Sequence, residues 1–327
     1  MYKSIIIGCG KIAGFYDQNL NGRVYSHAHA YSLHEKIKVT DYVDIVISKA
    51  EKLASKYKSN NFSDNYLESI RLNRADIVSV CTPDETHFKI VSDILNNDVV
   101  PRVIFIEKPV CSNIAELTYL KSRAGERKVM VVVNQSRRFD LRYKTLRDMI
   151  LEGKFGALIR GDVFYYGGWK HIAVHVIDTL RFLFEDELVI NNVQHNIDTH
   201  GNDPSLSAVF SFSSAKSTIY LHPFDENYYQ IFDFDLKFDR SRLRIENFEE
   251  KFILQKKVIN SMNENILVED LINIDNQCIS PMENAINILV EFLETENHTT
   301  IADYTLDKIE STMKVLWEGE KIATESK

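Results

Sequence analysis

The sequence has few cysteines and no long apolar run. Its 327 residues include only Cys9, Cys81, Cys111 and Cys278, without a Cys-x-x-Cys pair or a metal-ligand spacing. We therefore expect reduced, mostly buried thiols. The start of the chain lacks the basic and apolar regions of a signal peptide, and no stretch is long enough to span a bilayer. These absences predict a cytoplasmic protein that has no membrane partner.

The chain also lacks an excess of positive charge. It carries 39 lysines and arginines against 47 aspartates and glutamates, a net charge of −8. Nucleic acid binding requires a basic face, so we expect no nucleic acid partner. A dinucleotide cofactor is compatible with this charge, because it needs only a few local cations and helix N-termini. The length and the 44% of hydrophobic residues are typical of a globular protein with two domains.

Short apolar runs alternate with helical patterns in the first part of the chain. The apolar runs are 4–7, 42–47, 77–81, 103–106 and 129–133. The helical patterns are 50–57, 85–95 and 113–124, and a polar insertion at 17–26 precedes a helix at 27–34. Near-continuous β-branched runs suit parallel strands that are covered on both faces. The alternation predicts a doubly wound α/β domain over residues 1–134.

After residue 134 the pattern changes to alternating strands framed by helices. Helical spacing is predicted at 141–151, 171–184, 281–293 and 305–318. Alternating strand patterns are predicted at 158–166, 189–197, 208–212, 217–222, 229–238 and 243–247. We expect residues 135–327 to form an α+β domain for substrate binding and oligomerisation, with a large, mostly antiparallel, open-faced sheet. Its last helix could pack back on the first domain.

A glycine-rich turn directly follows the first apolar run. Gly8, Gly10 and Ala13 form a Gly-x-Gly-x-x-Ala pattern, with Lys11 and Ile12 inside it. Gly8 permits the tight turn, Gly10 lets the backbone approach a pyrophosphate, and Ala13 allows close packing of the helix on the strand. The amide groups of the turn and the positive end of the helix then hold the phosphates. The pattern predicts a Rossmann site for NAD(P).

The end of the second predicted strand bears on the choice between NAD and NADP. NAD-preferring sites place an acidic residue there to bind the ribose 2′-hydroxyl. The predicted strand ends at 45–49 without an acid, and Asp44 would lie in its interior. Ser48 and Lys49 could bind a 2′-phosphate, so we expect NADP to be preferred and NAD to be the alternative. Lys49 could also be a solvated residue at a helix start.

Polar motifs follow the other predicted parallel strands, at the edge of the sheet where ligands bind. They are Cys81-Thr82-Pro83 with His87, Glu107-Lys108-Pro109, and Asn134 with Arg137 and Arg138. A further segment carries Tyr166, Gly167, Gly168, Trp169, Lys170, His171, His175 and Asp178. A lysine stabilises a developing alkoxide and a histidine titrates near neutral pH. Both suit hydride transfer at a carbinol carbon, which must be coupled to proton transfer at its oxygen.

These motifs, in this order, resemble the Gfo/Idh/MocA family, which includes glucose–fructose oxidoreductase and inositol dehydrogenase. The resemblance covers nearly the whole chain, including the Phe155-Gly156 turn. It implies a dehydrogenase or reductase that transfers a hydride between a nicotinamide and a hydroxyl or carbonyl carbon of a sugar, nucleotide-sugar or cyclitol. It also implies a homodimer or homotetramer. We expect the Phe, Tyr and Ile residues at 229–238 to face a second subunit.

The resemblance also implies roles for individual residues. Lys108 matches the lysine that hydrogen-bonds the reacting oxygen, and His175 matches the acid/base histidine. The expected cofactor contacts are Gly8, Gly10, Lys11, Ile12, Ala13, Ser48, Lys49, Cys81, Thr82, Pro83, His87, Glu107, Lys108 and Asn134. The expected substrate contacts are Lys108, Arg137, Arg138, Tyr166, Trp169, His171, His175 and Asp178.

Several of these residues could have a structural role instead of a functional one. His175 could be a packing residue, and one of the two arginines could merely pair with a carboxylate such as Asp140. His27 and His29, on the first helix, are expected at the surface or in packing rather than in catalysis.

One position departs from the family pattern. Relatives often carry an aspartate four residues before the histidine, where this chain has His171. His171 cannot orient His175 as an anion would. It could be a second proton-transfer group, a substrate hydrogen bonder, or half of a metal pair with His175 on one helix face. No third ligand is evident nearby, so we expect no metal.

Two other functions stay open at this point. The first is a non-catalytic dinucleotide-binding sensor, which the presence of both Lys108 and His175 disfavours. The second is a reductase of a conjugated small molecule, similar to biliverdin reductase. A substrate-dependent change in nicotinamide absorbance would separate either enzyme from the sensor.

Overall fold

The computed structural model describes residues 1–19, 23–200, 203–215, 217–270, 274 and 279–325. Cys278 and part of the predicted insertion, residues 20–22, lie outside these ranges. The chain divides into two units: Met1–Asp140 with Ile279–Glu310, and Leu141–Cys278 with Ser311–Lys327. Across the described ranges, no helix is both long and apolar enough to cross a bilayer.

The first unit is built on a parallel sheet with helices in the crossovers. Its strands are β1 (Tyr2–Ile7), β2 (Ile37–Val43), β3 (Phe62–Ser63), β4 (Ile77–Val80), β5 (Val103–Ile106) and β6 (Met130–Val133). Its helices are α1 (His27–Leu33), α2 (Ile47–Lys56), α3 (Tyr66–Asn73), α4 (His87–Asn96), α5 (Ile114–Arg127), α6 (Ser136–Phe139), α9 (Pro281–Thr295) and α10 (His298–Ile301). Among the described residues the sheet has six strands, in the order β3-β2-β1-β4-β5-β6. This is the Rossmann order, which reverses between β1 and β4, and it confirms the predicted fold of this part.

The central strands form because their residues are apolar on both faces. Every residue of β4 and β5 is buried. Helices cover both faces of such a sheet, so an uninterrupted β-branched run is stable there. The buried Leu53 of α2 and the buried Leu117 and Leu120 of α5 supply part of this cover.

The second strand lies earlier in the chain than predicted. It ends at Val43, Asp44 follows it directly, and α2 begins at Ile47. The predicted strand at 42–47 is therefore wrong in position. Residues 45–47 are apolar but exposed, and the chain uses them for a turn and a helix start. Ser48 and Lys49 consequently lie in the first turn of α2 and not in the strand.

The second unit is built on a mostly antiparallel sheet, as predicted. Its helices are α7 (Leu141–Leu151), α8 (Val174–Phe184) and most of α11 (Leu306–Glu325). Its strands are β7 (Leu158–Tyr166), β8 (Leu188–His200), β9 (Asp203–Phe212), β10 (Thr218–Phe224), β11 (Phe232–Phe238), β12 (Ser241–Glu246), β13 (Lys251–Ile259) and β14 (Asn265–Asp270). Over the described ranges these eight strands follow the order β14-β13-β12-β11-β7-β10-β9-β8, with β7 and β10 paired in parallel.

The two faces of this sheet differ in chemistry. In β11 the residues Phe232, Phe234, Leu236 and Phe238 are buried, and charged residues alternate with them. The prediction that the aromatic residues of this strand face a second subunit is therefore wrong, because they fill the unit's own core. The opposite face carries ion pairs between Arg160 and Asp162, Lys237 and Asp162, and Arg242 and Asp235.

The two units do not follow the order of the chain. Helix α9 belongs to the first unit, although the sequence analysis placed it in the second domain. Asn284 donates to the backbone oxygen of Phe139 at 2.6 Å, and the rings of Phe139 and Tyr304 stack with centroids 4.2 Å apart. One face of α9 is apolar and buried in the same core as β1 and α1. This packing assigns the segment to the Rossmann unit.

Candidate cofactor and substrate sites

The carboxyl ends of the parallel strands are tied side by side by backbone hydrogen bonds. Gly8 follows β1 and its N–H donates to Val43 at 2.8 Å. Cys81 follows β4 and donates to Ile7 at 2.8 Å. The row continues with Glu107 donating to Val80 at 3.0 Å and Asn134 donating to Ile106 at 2.8 Å. Four predicted site residues are thus the first residues after their strands and share one edge of the sheet.

The glycine turn fits a bound pyrophosphate. Gly8 has a φ of +87°, and a Cβ there would lie 2.7 Å from the backbone carbon of Cys81. A Cβ on Gly10, in contrast, would meet no protein atom within 4 Å. Gly8 is therefore required by the protein itself, whereas the bare backbone at Gly10 borders open space that a cofactor could fill.

The turn leads into a π-helical turn, Lys11–Phe15, rather than a regular α-helix. Ala13 is fully buried, Lys11 is exposed and Ile12 is half-buried. Gly14, which the sequence analysis did not single out, is the point of closest packing, since a Cβ there would overlap the Leu53 side chain. The close approach of this segment to α2 therefore depends on Gly14 as well as on Ala13.

Asp44 occupies the position after β2 that the sequence analysis had found without an acid. Its carboxylate accepts hydrogen bonds from the N–H groups of Cys9 and Val46, each at 2.8 Å. These two bonds fix the carboxylate beside the glycine turn. Ser48 and Lys49 are exposed on α2 instead. The premise for an NADP preference, a strand end without an acid, is therefore wrong.

A buried hydrogen-bond chain holds Glu107. Its Oε1 accepts from Asn134 Nδ2 at 2.6 Å and lies 2.9 Å from Nε2 of His27. Nδ1 of His27 lies 3.0 Å from the Ser79 hydroxyl, which in turn lies 2.8 Å from the hydroxyl of Tyr31. His27 is fully buried. It is a packing residue, as expected, but it also anchors the residue next to Lys108.

The environment of Glu107 favours its carboxylate form. Burial by itself would raise its pKa, but the hydrogen bonds from His27 and Asn134 and the charge of Lys108 lower the pKa overall. An anion is therefore held permanently beside Lys108 at neutral pH. That anion in turn favours the charged form of the lysine.

We expect Glu107→Gln to destabilise the first unit by about 1–3 kcal/mol at neutral pH, because a neutral amide oxygen accepts the bonds from His27 and Asn134 more weakly than a carboxylate oxygen does. The pKa of Glu107 is lowered in the folded state from 4.5, so its stabilisation is complete above about pH 4.5 and is lost as the pH falls through the folded value. The difference between variant and wild type should accordingly shrink below that pH. Denaturant unfolding across the acid range measures it.

Glu126→Gln is the matched control for this experiment. Its pKa is also lowered, by hydrogen bonds from Arg123 and Ser122, but it lies on the exposed face of α5. It should lose less stability than Glu107→Gln at neutral pH, because its ion pair with Arg123 is exposed to solvent. Equal losses in the two variants would contradict a special role for the Glu107 chain.

His87 links two of the strand-end loops. It is fully buried, with Nδ1 2.7 Å from the carbonyl oxygen of Pro109 and Nε2 2.8 Å from that of Thr82. The predicted contact with the nicotinamide ribose is therefore wrong for this side chain, because both ring nitrogens face protein backbone. Its ring holds the loops that carry Thr82 and Lys108.

The remaining predicted residues of this edge divide into accessible and buried ones. Lys108, Thr82 and Arg137 are half-buried and Pro83 is exposed. Arg138 is buried, and its Nη1 donates to the backbone oxygen of Asp303 at 3.0 Å. This corrects the prediction of Arg138 as a substrate anchor, since its guanidinium ties the segment after β6 to the end of α10.

Two predicted substrate contacts in the second unit are core residues. Trp169 is fully buried, and its indole N–H donates to the backbone oxygen of Leu316 at 2.9 Å. Asp178 is buried and accepts from the Thr312 hydroxyl at 2.9 Å. Both side chains hold α11 and cannot face a substrate, so these two predictions are wrong.

The other residues of this segment are accessible. Trp169–Ala173 forms a π-helical turn that continues into α8, with His171 on the turn and His175 in the first turn of α8. His171 is exposed, whereas Tyr166 and His175 are half-buried. Lys170 pairs with Glu320 at 2.6 Å. In the part of the chain that the structure describes, no group of three or more His, Cys, Asp or Glu residues could hold a metal ion.

Sequence reasoning missed Asp203, the first residue of β9. Its Oδ2 lies 2.6 Å from Nδ1 of His171. Burial would raise the pKa of Asp203, but hydrogen bonds from the His171 ring and from the N–H groups of Lys170 and His171 lower it overall. No motif links residues this far apart in the chain, so the sequence held no signal for the pair.

The described cysteines are free thiols, as expected. Cys9, Cys81 and Cys111 are buried. Burial and neighbouring carboxylates raise the pKa of Cys9 to about 12 and that of Cys111 to about 12. Burial also raises the pKa of Cys81. These thiols are protonated at neutral pH and are not nucleophiles.

The sheet order, the glycine turn and the strand-end residues define a Rossmann dinucleotide-binding protein. Residues 2–135 match the family model described as "Oxidoreductase family, NAD-binding Rossmann fold". This match covers the Rossmann part of the chain, and it is to the Gfo/Idh/MocA family, which the sequence motifs resemble.

Similar proteins of curated function include inositol dehydrogenases. Inositol 2-dehydrogenase from Rhodococcus jostii is 27% identical over 208 residues, which cover 58% of this chain and 56% of the relative. Inositol 2-dehydrogenase from Rubrobacter xylanophilus is 23% identical over 200 residues, covering 56% and 52% respectively. The chain thus spans about half the length of these relatives.

Solved structures share the fold along the whole chain. An aldose-aldose oxidoreductase from Caulobacter crescentus, complexed with glycerol, has a TM-score of 0.79 at 13% identity and covers 100% of this chain and 98% of its own. A 3-ketoreductase from Actinomadura kijaniata, in complex with NADP, has a TM-score of 0.78 at 13% identity and covers 98% of each chain. These similarities confirm the fold that the sequence predicted for both parts.

Proposed function

We propose that the protein is an NAD-dependent oxidoreductase that transfers a hydride between the nicotinamide and a hydroxyl or carbonyl carbon of a sugar, nucleotide-sugar or cyclitol. The observation that carries the proposal is the position of Lys108. It follows β5 on the same sheet edge as the glycine turn, next to a carboxylate fixed by His27 and Asn134. A cation held at a cofactor edge is suited to stabilise a developing alkoxide.

The residues of this edge have separable roles in the proposal. The backbone at Gly8 and Gly10 holds the pyrophosphate, and Thr82 and Pro83 lie beside the nicotinamide ribose. The bound nicotinamide supplies the hydride acceptor or donor. Glu107 keeps Lys108 charged, and Lys108 binds the reacting oxygen. Arg137 and Tyr166 remain the proposed substrate anchors, and the first and second units are the proposed cofactor and substrate domains.

The test is a nicotinamide absorbance assay with NAD⁺ and, separately, myo-inositol, glucose and UDP-N-acetylglucosamine. The names of the inositol dehydrogenases, of the aldose-aldose oxidoreductase and of a UDP-N-acetylglucosamine 3-dehydrogenase with the same fold guide this choice of substrates. Turnover of any one of them supports the proposal and selects the substrate class. Calorimetric binding of NADH without turnover of any substrate would overturn it in favour of a sensor. A parallel assay with NADH and biliverdin tests the reductase alternative.

The cofactor proposal follows from Asp44. A carboxylate at the end of β2 can accept from the ribose 2′-hydroxyl of NAD and would repel the 2′-phosphate of NADP. The hydrogen bonds that it accepts from two backbone N–H groups hold the carboxylate in this position. We therefore expect NADH to bind at least about tenfold more tightly than NADPH, since like charges in contact cost several kcal/mol.

We expect Asp44→Ser to narrow or reverse this preference, because serine removes the charge but can still accept from the N–H two residues on. Calorimetry with NADH and NADPH measures both affinities. Asp148→Ser, which removes an exposed carboxylate of the second unit, should leave the ratio unchanged. A ratio that is unaffected by Asp44→Ser would rule out Asp44 as the discriminating residue.

Assembly and location stay predictions of the sequence. The charged face of the second-unit sheet carries Phe164, which is 39% exposed and stacks on His222 with ring centroids 4.9 Å apart. A homodimer or homotetramer that uses this face would pair it through charged and aromatic contacts.

A further inference from the structure

Asp203, the first residue of β9, forms hydrogen bonds with the π-helical turn Trp169–Ala173. Its Oδ1 accepts from the N–H of Lys170 at 2.8 Å, and its Oδ2 accepts from the N–H of His171 at 3.1 Å. The same Oδ2 lies 2.6 Å from Nδ1 of the His171 ring. Gly168 makes this approach possible, because a Cβ there would overlap the Asp203 carboxylate. The sequence of the turn and the first residue of β9 thus combine to build this contact.

The contact fixes the chemistry of the imidazole. A carboxylate accepts hydrogen bonds, so the nitrogen that faces it carries the proton. With Nδ1 protonated, Nε2 is the basic nitrogen of the neutral ring, and the carboxylate stabilises the imidazolium that forms when Nε2 takes up a proton. A buried aspartate orients a catalytic histidine in the same way in serine proteases.

The two partners differ in burial: the ring that would meet the substrate is exposed, and the carboxylate that orients it is buried. The His171 side chain is 53% exposed, whereas that of Asp203 is 6% exposed. A surface ion pair would have both partners in water and little directional preference. Here the orienting group is inside the unit and the titrating ring reaches outward.

Other charged and titratable groups belong to the elements packed around the turn. They are His175 on α8, Tyr165 and Tyr166 on β7, Lys170 on the turn itself and Glu320 on α11. Tyr165 is buried and exchanges hydrogen bonds with the backbone of Leu206, and Lys170 is paired with Glu320. Asp203 contacts the His171 ring directly.

We propose that His171 and Asp203 form the acid/base pair of the reaction, with His171 as the catalytic residue and Asp203 as its positioning residue. The inference rests on the proposed function. In the oxidative direction, the hydroxyl proton of the substrate passes to Nε2 of His171 while the hydride of the same carbon passes to NAD⁺, and the C–O bond becomes a carbonyl. The reverse transfers reduce the carbonyl. Asp203 of β9 thus supplies a carboxylate where the family pattern often has an aspartate four residues before His175.

Asp203→Asn tests the pair through the pH dependence of the reaction. With NAD⁺ and the substrate of the panel that turns over fastest, wild-type kcat/KM should rise with pH as His171 loses its proton. The variant should lose about 100-fold or more in kcat, because general acid–base catalysis typically contributes about 100- to 10,000-fold. The acidic limb of its kcat/KM profile against pH should also move to lower pH, because the His171 imidazolium has lost its counter-ion.

Further variants keep the result interpretable if Asp203→Asn folds poorly. His171→Gln retains Asp203 and the backbone contacts, and it should abolish the acidic limb without changing the NADH dissociation constant. His29→Gln is the matched control, since Nδ1 of His29 lies 3.3 Å from Asp17 in the first unit. An acidic limb that survives His171→Gln and disappears in His175→Gln would overturn the inference and assign the proton transfer to His175.

A spectroscopic readout separates this inference from the proposed function. Nitrogen NMR of the imidazole rings should show the Nδ1–H tautomer for His171 in the wild type and its loss in Asp203→Asn. An Nε2–H tautomer in the wild type would overturn the pair even if the enzyme is active. If His171 shows the Nδ1–H tautomer but the protein turns over no substrate, the proposed function is wrong and the His171–Asp203 contact stands.

Discussion

Lys108→Ala is expected to lower kcat/KM by about 1,000-fold or more while the affinity for NADH changes less than about threefold. Removing one preorganised donor to a developing oxyanion typically costs about 100- to 1,000-fold in rate. The loss should lie at the upper end because the donor is a full positive charge beside the fixed carboxylate of Glu107. Lys108 is half-buried and directly follows the fixed Glu107 in the chain.

Steady-state kinetics measure the effect on kcat/KM, with whichever of myo-inositol, glucose and UDP-N-acetylglucosamine the wild type turns over. Calorimetric titration measures the affinity for NADH separately. Lys89→Ala is the matched control, because Lys89 is an exposed lysine on α4 of the same unit, paired with Asp93 at 2.5 Å. It should retain wild-type turnover. If Lys108→Ala keeps turnover within a few-fold of the wild type, the assignment of Lys108 to the reacting oxygen is wrong.

Gly8→Ala and Gly10→Ala are expected to fail in different ways. At Gly8 the positive φ and the overlap with the Cys81 backbone together should destabilise the unit by about 3 kcal/mol or more. At Gly10 a methyl group meets no protein atom, so stability should stay within about 0.5 kcal/mol of the wild type. The methyl group would instead occupy the space of the pyrophosphate, and the NADH dissociation constant should rise about tenfold or more.

Thermal or denaturant unfolding without cofactor and calorimetry with NADH distinguish the two outcomes. Gly125→Ala offers a control within α5, where the added methyl also meets nothing. Alanine is the better helix former, so this variant should be unchanged or stabilised by up to about 1 kcal/mol and should bind NADH normally. Unchanged NADH binding by Gly10→Ala would show that the dinucleotide does not approach this turn.

The fold could be predicted from the sequence where the pattern was regular. The bounds predicted for α7 and β7 agree with the structure, because continuous helical spacing and strict alternation leave little choice. Strand β14 was missed because its residues are mostly exposed and its pattern carries no buried face. The position of β2 was wrong because hydrophobicity alone does not reveal whether apolar residues at 45–47 are buried.

The candidate site could be predicted only in its linear motifs. Gly8, Glu107 and Asn134 were found because the ends of parallel strands meet at one edge. The bonds from His27 to Glu107 and from His171 to Asp203 join residues 80 and 32 positions apart. Such pairs depend on the packing of separate elements, which a single sequence does not specify. The same limit explains why the buried roles of Trp169 and His87 were not foreseen.

The discontinuity of the first unit constrains how the chain can fold during synthesis. Its closing segment, Ile279–Glu310, supplies Asn284 to the backbone of Phe139 and the carbonyl of Asp303 to Arg138. The ribosome must make Leu141–Cys278 before that segment exists. Domains generally fold as units in the order of their synthesis. Here the Rossmann strands are made first, and the aromatic surface that the closing segment buries in the finished protein is still exposed. Until the second segment is made, the apolar surface that it will cover is open to aggregation and to chaperone binding.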